Sequence, residues 1–250
     1  MMNGVLNTNA LLNLPISLPP SKHLKAINLL QNLKNKNLFN FDETIAADIF
    51  TDIDFPWDVL PKIKDFIIGL GKSLSEEDYD KKGDNIWIAK SADIAPTATI
   101  NGPCIIGKDT EVRPGAFIRG NAIVGENCVV GNSTELKNVI LFNNVQVPHY
   151  NYFGDSILGY KSHMGAGSIT SNVKSDKSDV VIKYEGDKIA TGLRKMGAIL
   201  GNYVEVGCNS VLNPGTIIGS NTNIYPLSSV RGYIPKGSIY KNQGNIVEKR

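Results

Sequence analysis

A bulky aliphatic residue recurs at every sixth position over two long stretches of this 250-residue sequence. The first stretch runs from Ile88 to Leu136, and the second runs from Leu200 to Val230. A period of six fits neither the 3.6 residues per turn of an α-helix nor the alternation of a long amphipathic strand. It fits short strands joined by tight corners, in which one large side chain per strand fills a narrow axis.

A second repeated position supports this interpretation. A small residue usually stands four positions after the aliphatic one, as at Cys104 and Cys128, and glycine often follows the aliphatic residue directly. Small side chains fit tight inward positions, and glycine suits corners. Stacked coils of this kind bury a continuous core. The sequence therefore predicts a mainly β protein containing a parallel β-helix, with Cys104 and Cys128 as packing residues.

The first 80 residues lack the repeat and instead space apolar residues three and four apart in 21–35, 41–50 and 57–74. In the first of these segments Ser21 is a plausible N-cap. The acidic and lysine-rich stretch 75–84 is predicted as a linker. We therefore expect a helical segment and linker over 1–85 and a β-helix over 86–240. The predicted apolar face of the first helix comprises Leu24, Ile27, Leu29, Leu30 and Leu33.

The repeat is interrupted in two ways. Five-residue steps lead from Leu136 to Leu141 and from Phe153 to Leu158, and such register breaks redirect side chains at the edge of a coil. The segment 173–195 is too charged for interior strands, so it is predicted to leave the coil as a loop or β-hairpin.

Composition narrows the possible functions. The 26 basic and 24 acidic residues nearly cancel, so no broad surface for nucleic acid is expected. No apolar run is long enough for a membrane span and no leader peptide is recognised, so a cytoplasmic protein without membrane contact is expected. The three cysteines have no CxxC spacing, which argues against a disulfide framework or a zinc site.

Four motifs cluster around the first register break. They are RPGA at 113–116, GNSTELK at 131–137, HYNYFGD at 149–155 and GAGSITSN at 165–172. In order and spacing they resemble the acetyltransferase half of the bacterial bifunctional glucosamine-1-phosphate N-acetyltransferase/N-acetylglucosamine-1-phosphate uridylyltransferase, over about residues 86–235. The resemblance implies a left-handed β-helix, although most parallel crossovers are right-handed.

The resemblance also implies the acceptor site. His149 falls in the motif of the family's general base, which an amine needs because it attacks a thioester only when unprotonated. Arg113 and Lys137 match the residues that bind the sugar phosphate, where a guanidinium and an ammonium suit a dianion. Tyr152 matches a residue that contacts the sugar, and Asn172 matches an asparagine beside the acceptor. Against this, His149 could be a structural corner residue, and the two cations could be solvated surface charges.

For the donor, Cys208 and Arg231 match the region where coenzyme A lies along the coils, and the resemblance implies acetyl-CoA as co-substrate without a metal. Nothing in the sequence marks Cys208 as a nucleophile. The family has tyrosine where Val173 stands, beside the acceptor pocket, and its nucleotidyltransferase loop has no counterpart here.

The leading hypothesis is an acetyl-CoA-dependent N-acetyltransferase that acts on an amino sugar phosphate or a nucleotide-linked amino sugar. The resemblance and the flat faces of a solenoid predict a homotrimer with sites between subunits. Two alternatives are a non-catalytic module that binds sugar phosphates or nucleotide sugars, and a partner subunit of a sugar nucleotidyltransferase.

Overall fold

The computed structural model describes residues 5–6, 28, 30–184, 187–241 and 244–249. Four of the residues predicted for the first helix (Ser21, Leu24, Ile27 and Leu29) lie outside this part of the chain. Residues 30–33 are helical, and two α-helices follow, α1 (Asn35–Leu38) and α2 (Ile63–Ser73). Four short 3₁₀ helices accompany them at Phe41–Glu43, Ala47–Phe50, Pro56–Asp58 and Leu60–Lys62.

Short strands make up most of the remaining chain. In the first half they are β1 (Val5–Leu6), β2 (Tyr79–Gly83), β3 (Ile86–Ala89), β4 (Asp93–Ile94), β5 (Thr99–Ile100), β6 (Cys104–Ile106), β7 (Glu111–Val112), β8 (Phe117–Ile118), β9 (Ala122–Val124), β10 (Val129–Asn132), β11 (Glu135–Leu141), β12 (Gln146–His149) and β13 (Tyr152–Leu158). In the second half they are β14 (His163–Met164), β15 (Ile169–Thr170), β16 (Val181–Tyr184), β17 (Asp187–Ala190), β18 (Ala198–Leu200), β19 (Glu205–Val206), β20 (Val211–Leu212), β21 (Thr216–Ile218), β22 (Asn223–Ile224), β23 (Ser229–Val230), β24 (Tyr233–Ile234), β25 (Ser238–Tyr240) and β26 (Ile246–Glu248).

Parallel pairing stacks these strands into the three faces of a prism. The first face contains β4, β7, β10, β12, β14, β19, β22 and β25. The second contains β5, β8, β15, β20, β23 and the first parts of β11 and β13. The third contains β3, β6, β9, β18, β21, β24 and the last parts of β11 and β13. The predicted fold class is confirmed: the protein is mainly β, a left-handed parallel β-helix with a small N-terminal helical segment.

The aliphatic repeat forms the core of the prism. Ile88 pairs with Ile106, which pairs with Val124, and the same inward row continues through Leu141 to Leu158 and Leu200. The small residues of the repeat are buried beside this row, and Cys104 and Cys128 are among them. Burial raises the pKa of both thiols to about 12, which supports their assignment as packing residues.

The five-residue steps carry two strands around a corner of the prism. β11 and β13 each run from the second face onto the third. The turn falls at Asn138 and Asp155, both of which have positive φ, a conformation that Asn and Asp adopt more readily than most residues. These steps therefore place Lys137, Asn138 and Asp155 together at one edge.

The N-terminal segment covers the third face in its early coils. α2 lies against β6, β9 and β11. Phe39 and Phe50 pack on Phe142 of the coil, with ring centroids 5.0 and 5.9 Å apart. Backbone hydrogen bonds from Asn143 to Glu43 and from Asn202 to Leu38 add to this contact. The covered face explains why even outward residues there, such as Ile105, are buried.

The polar segment 173–195 leaves the coil between β15 and β18. It contains an antiparallel hairpin of β16 and β17, on which β1 adds a third, parallel strand. The hairpin lies on two corner glycines of later coils. A Cβ at Gly215 would lie 2.7 Å from the Val181 carbonyl oxygen, and one at Gly232 would lie 2.1 Å from that of Lys183. Both glycines also have positive φ, so this close approach excludes any larger residue.

Two segments differ from the sequence interpretation. Residues 41–50 form two 3₁₀ helices and no continuous helix, because the buried Thr44 hydroxyl accepts the Ala46 amide and competes with helical hydrogen bonds. In the stretch predicted as a linker, β2 pairs antiparallel with β3 and extends the third face.

Candidate functional site

The corner between the second and third faces carries a row of polar residues, called here the 2–3 corner. Leu136 pairs with Ile118, and Lys137 pairs with Gly154. Arg119, Lys137 and Gly154 therefore lie above one another on successive coils. The same row continues through Ser171, Asn213 and Arg231.

The buried carboxylate of Asp155 organises this corner. Lys137 Nζ donates to Oδ1 at 2.9 Å and to Oδ2 at 3.2 Å. Asn172 Nδ2 donates to Oδ2 at 2.6 Å, and Asn138 Nδ2 donates to Oδ1 at 3.0 Å. The Asp155 side chain is only 7% exposed, whereas that of Lys137 is 27% exposed. Lys137 and Asn172 were both proposed from the sequence as site residues. The carboxylate of Asp155, which was not proposed, holds both of them.

Tyr152 reaches the same group from the second face. A Cβ at Gly154 would lie 2.6 Å from both the Tyr152 phenol oxygen and Asn172 Nδ2, so the glycine leaves room for these two groups to meet. Burial raises the pKa of the Tyr152 phenol, and the carboxylates of Glu135 and Asp155 raise it further. The phenol therefore stays protonated at neutral pH and is suited to hydrogen bonding.

Arg119 joins this group although the sequence motifs did not identify it. Its Nη1 donates to Glu135 Oε1 at 2.6 Å, and its side chain is 45% exposed. The repeat contained the signal, because one coil spans 18 residues in this region and Arg119 stands 18 positions before Lys137. Counting coils would have found it.

Arg113, by contrast, lies at the end of β7 on the first face. Its Nη2 is 2.9 Å from Glu111 Oε2, and this guanidinium holds the pKa of the Glu111 carboxyl below its ordinary value. Within one chain, Arg113 and Lys137 therefore belong to different faces.

His149 lies at the opposite end of the second face, at what we call the 1–2 corner. Its backbone pairs with Asn132 below, and its carbonyl accepts from Gly167 above. The side chain is exposed, and among the described residues the ring has no hydrogen-bond partner. The second face separates His149 from Lys137 within one chain.

A buried amide fixes the backbone at His149. Asn151 Oδ1 accepts the His149 N–H at 3.1 Å, while Asn151 Nδ2 donates to the carbonyls of Gly165 and Ser168, each at 2.9 Å. The loop is thereby tied to the next coil. The other described histidine, His163, is on the first face and pairs with Glu205 at 3.0 Å.

The two residues predicted for the donor occupy different corners. Cys208 is exposed at the 1–2 corner, in the coil above Ala166. Arg231 is exposed at the 2–3 corner and donates to Asn213 Oδ1 at 2.9 Å. Arg231 also lines a cleft of about 620 Å³ between the hairpin and the last coil, together with Lys183, Lys188 and Tyr233.

Cations and carboxylates alternate at the 2–3 corner. Arg119 pairs with Glu135 and Lys137 pairs with Asp155, so these two pairs together carry no net charge. The group offers many donors at fixed positions. It can hold a polar ligand by directed hydrogen bonds, which suits a sugar with a phosphate substituent.

Across the described ranges, no three His, Cys, Asp or Glu side chains are grouped as metal ligands would be. None of the helices in the same ranges has the length and apolar character that a bilayer crossing requires.

Comparisons with known proteins bear on this arrangement. A family model described as the GMPPB C-terminal domain matches residues 100–223. The bifunctional protein GlmU of Methanococcus maripaludis is 36% identical over 205 residues, which cover 80% of this chain and 49% of that protein. A bifunctional sugar-1-phosphate nucleotidylyltransferase/acetyltransferase of Sulfurisphaera tokodaii is 31% identical over 193 residues, covering 76% and 48%.

Among solved structures, a mutant of perosamine N-acetyltransferase from Caulobacter crescentus, in complex with CoA and GDP-perosamine, is 16% identical. The match covers 65% of this chain and 56% of that one, with a TM-score of 0.34. The chain spans about half the length of the curated relatives that it matches. The resemblance that the four motifs indicated is confirmed: over about four fifths of its length, this chain is a homologue of bifunctional GlmU proteins.

Proposed function

We propose that this chain is an acetyl-CoA-dependent N-acetyltransferase that acts on an amino sugar phosphate or a nucleotide-linked amino sugar. The observation that carries the proposal is the meeting of Lys137, Tyr152 and Asn172 around one buried carboxylate, in a chain 36% identical to a GlmU protein. We assign the activity to a β-helix domain over 86–240, supported by the helical segment over 1–85.

In this proposal the acceptor lies at the 2–3 corner. Lys137 and Arg119 donate to the phosphate, since an ammonium and a guanidinium form charge-assisted hydrogen bonds with it. Tyr152 and Asn172 orient the sugar ring. Arg113, on another face of the same chain, contributes to a phosphate site only if it reaches the corner of a neighbouring subunit.

His149 is proposed as the general base, acting across a subunit boundary in a homotrimer. The acceptor amine binds unprotonated, and His149 removes the proton that its nitrogen loses as it attacks the thioester carbonyl. Asn172 or a backbone N–H donates to the oxyanion of the tetrahedral intermediate. The carbon–sulfur bond then breaks, and the protonated imidazole returns its proton to the leaving thiolate of coenzyme A.

The donor is proposed to lie along the coils between neighbouring subunits, with Arg231 of one subunit and Cys208 of the other beside it, because these residues occupy different corners of one chain. Arg231 stands four coils above Lys137, a rise of roughly 19 Å at ~4.8 Å per coil. The cations of the cleft that Arg231 lines suit the phosphates of coenzyme A.

The test is a screen of amino sugar phosphates, unphosphorylated amino sugars and nucleotide-linked amino sugars with acetyl-CoA, in which free thiol release is measured. Calorimetry with acetyl-CoA accompanies the screen. We expect acetyl-CoA binding and turnover of at least one phosphorylated acceptor. Absence of both would reject the proposal in favour of a sugar-phosphate binding module.

A further inference from the structure

The side chain of Asp155 is surrounded by donors. An ionised carboxylate offers about four lone-pair positions, and the two oxygens of Asp155 accept four contacts from Lys137, Asn138 and Asn172. No position remains for a substrate or for a proton. Asp155 is therefore suited neither to binding the acceptor nor to acting as a base.

The donors come from different coils. Lys137 and Asn138 belong to the coil before Asp155, and Asn172 belongs to the coil after it. Asn138 Nδ2 also donates to the Leu60 carbonyl at 3.2 Å, so the N-terminal segment reaches the same group. One carboxylate thus connects two coils and the segment that covers the third face.

Asp155 also holds both ends of the excursion over 173–195. Its side chain binds Asn172, the last residue before the excursion, and its backbone carbonyl accepts the Gly197 amide at 2.9 Å where the chain returns. The Asn172 carbonyl accepts the Met196 amide at 3.0 Å, which closes the base of the excursion. Movement of Asp155 would therefore move Asn172.

Lys137 has three N–H donors, and its contacts with the two oxygens of Asp155 use two of them. We propose that Asp155 is a positioning residue for the acceptor site, which holds the Lys137 ammonium so that its remaining donor faces a phosphate and holds the Asn172 amide beside the amine. The inference rests on the proposed function, because it assigns the acceptor's phosphate to Lys137.

The experiment compares Asp155→Asn with Asp179→Asn in the full-length protein. Asp179 is an exposed acid in the excursion, 3.8 Å from Arg194, and is the matched control. Asp155→Asn removes the charge and turns an N–H toward existing donors, so KM for a phosphorylated acceptor should rise roughly 10- to 100-fold, the range expected for charge-assisted hydrogen bonds. KM for acetyl-CoA should stay within about twofold, and Asp179→Asn should match the wild type.

A double-mutant cycle separates positioning from general destabilisation. In a Lys137→Ala background, Asp155→Asn should add little to KM for the phosphorylated acceptor, because the ammonium that faces the phosphate is gone and Asn172, which Asp155 still holds, lies beside the amine. Equal increases in KM for acetyl-CoA and for phosphorylated and unphosphorylated acceptors, or full additivity in the cycle, would overturn the inference.

Two further measurements cover the remaining outcomes. If Asp155→Asn does not fold, Asn138→Ala replaces it; this variant removes one donor and no charge, and it should raise the same KM about threefold. No change in that KM would count against the inference. If the wild type turns over no acceptor, the proposed function fails separately, and calorimetry with glucosamine 1-phosphate tests the positioning. Equal affinity in wild type and Asp155→Asn would then reject it.

Discussion

His149 and His163 both lie on the surface of the coils but differ in their contacts. His163 pairs with Glu205, whereas the His149 ring is exposed and its backbone is fixed by Asn151. If His149 is the base, His149→Ala should lower kcat by ~10²–10⁴, with acetyl-CoA affinity unchanged. Steady-state kinetics and calorimetry measure the two quantities, and His163→Ala is the control. Full turnover by His149→Ala would make this histidine structural.

Three arginine and lysine positions test where the acceptor's phosphate lies. Arg119→Ala and Lys137→Ala should each raise KM for a phosphorylated acceptor roughly 10- to 100-fold while changing kcat less, because they hold the phosphate and not the reacting nitrogen. Kinetics with phosphorylated and unphosphorylated acceptors measure this. Arg113→Ala should raise KM comparably only if Arg113 reaches the site from a neighbouring subunit. A large effect at Arg113 together with none at Arg119 would place the phosphate elsewhere.

Much of the corner could be predicted from local motifs. Lys137, Tyr152 and Asn172 stand in motifs that resemble a known family, and the structure brings them together. Arg119 was missed because its partners lie in other coils and no motif contains it. His149 is distant from this group because the five-residue steps fall at the 2–3 corner, whereas His149 lies at the 1–2 corner. The spacing of residues along the sequence does not reveal the corner at which each step falls.

Among the elements, the hairpin of β16 and β17 depends on two glycines. Gly232→Ala should destabilise the protein by about 2 kcal/mol or more, since a Cβ would meet the Lys183 carbonyl and the positive φ alone costs about 1 kcal/mol. Urea unfolding measures the change. Gly237 also has positive φ but has nothing within 4 Å of its added Cβ. Gly237→Ala should therefore lower the free energy of unfolding only by the about 1 kcal/mol that the positive φ costs.

If Gly232→Ala and Gly237→Ala lowered the free energy of unfolding equally, the hairpin would not be in close contact with the coil at Gly232. Acetyl-CoA affinity can be measured in the same two variants. A lower affinity in Gly232→Ala than in Gly237→Ala would indicate that the hairpin supports Arg231 and the cleft that it lines.

The elements differ in how well the sequence predicted them. The hexad register was predictable because one large inward residue per strand is an absolute requirement of a narrow axis, and Ile106, Val124 and Ile218 are fully buried as expected. The 41–50 segment was misjudged because its apolar spacing is helical, whereas the Thr44 hydroxyl satisfies backbone donors locally. Packing of this segment onto Phe142 is a long-range contact that spacing cannot reveal.

At the scale of the whole molecule, the coverage of the third face bears on assembly. The described part of the N-terminal segment and the hairpin lie on that face, so within the described ranges the first and second faces are the ones open to another subunit. We expect a homotrimer in which the His149 corner of one subunit meets the Lys137 corner of its neighbour. Light scattering should give three times the 27.2 kDa chain mass. A monomer at micromolar concentration would contradict this and would leave His149 remote from the acceptor.

The excursion over 173–195 has a further consequence for the evolution of the chain. Ile157 pairs with Ile199, a step of 42 residues where most coils take 17 or 18, yet the ladder continues in register on either side. A backbone hydrogen bond from Met196 to Asn172 joins the two ends of the excursion where the chain leaves and returns to the coil. Because the two ends of the insertion are already in contact in the coil, closing it as a loop adds little entropic cost to the folding of the β-helix. Such a coil can gain or lose a hairpin as a module, provided that the later coils carry glycine where the hairpin packs on them, as Gly215 and Gly232 do here.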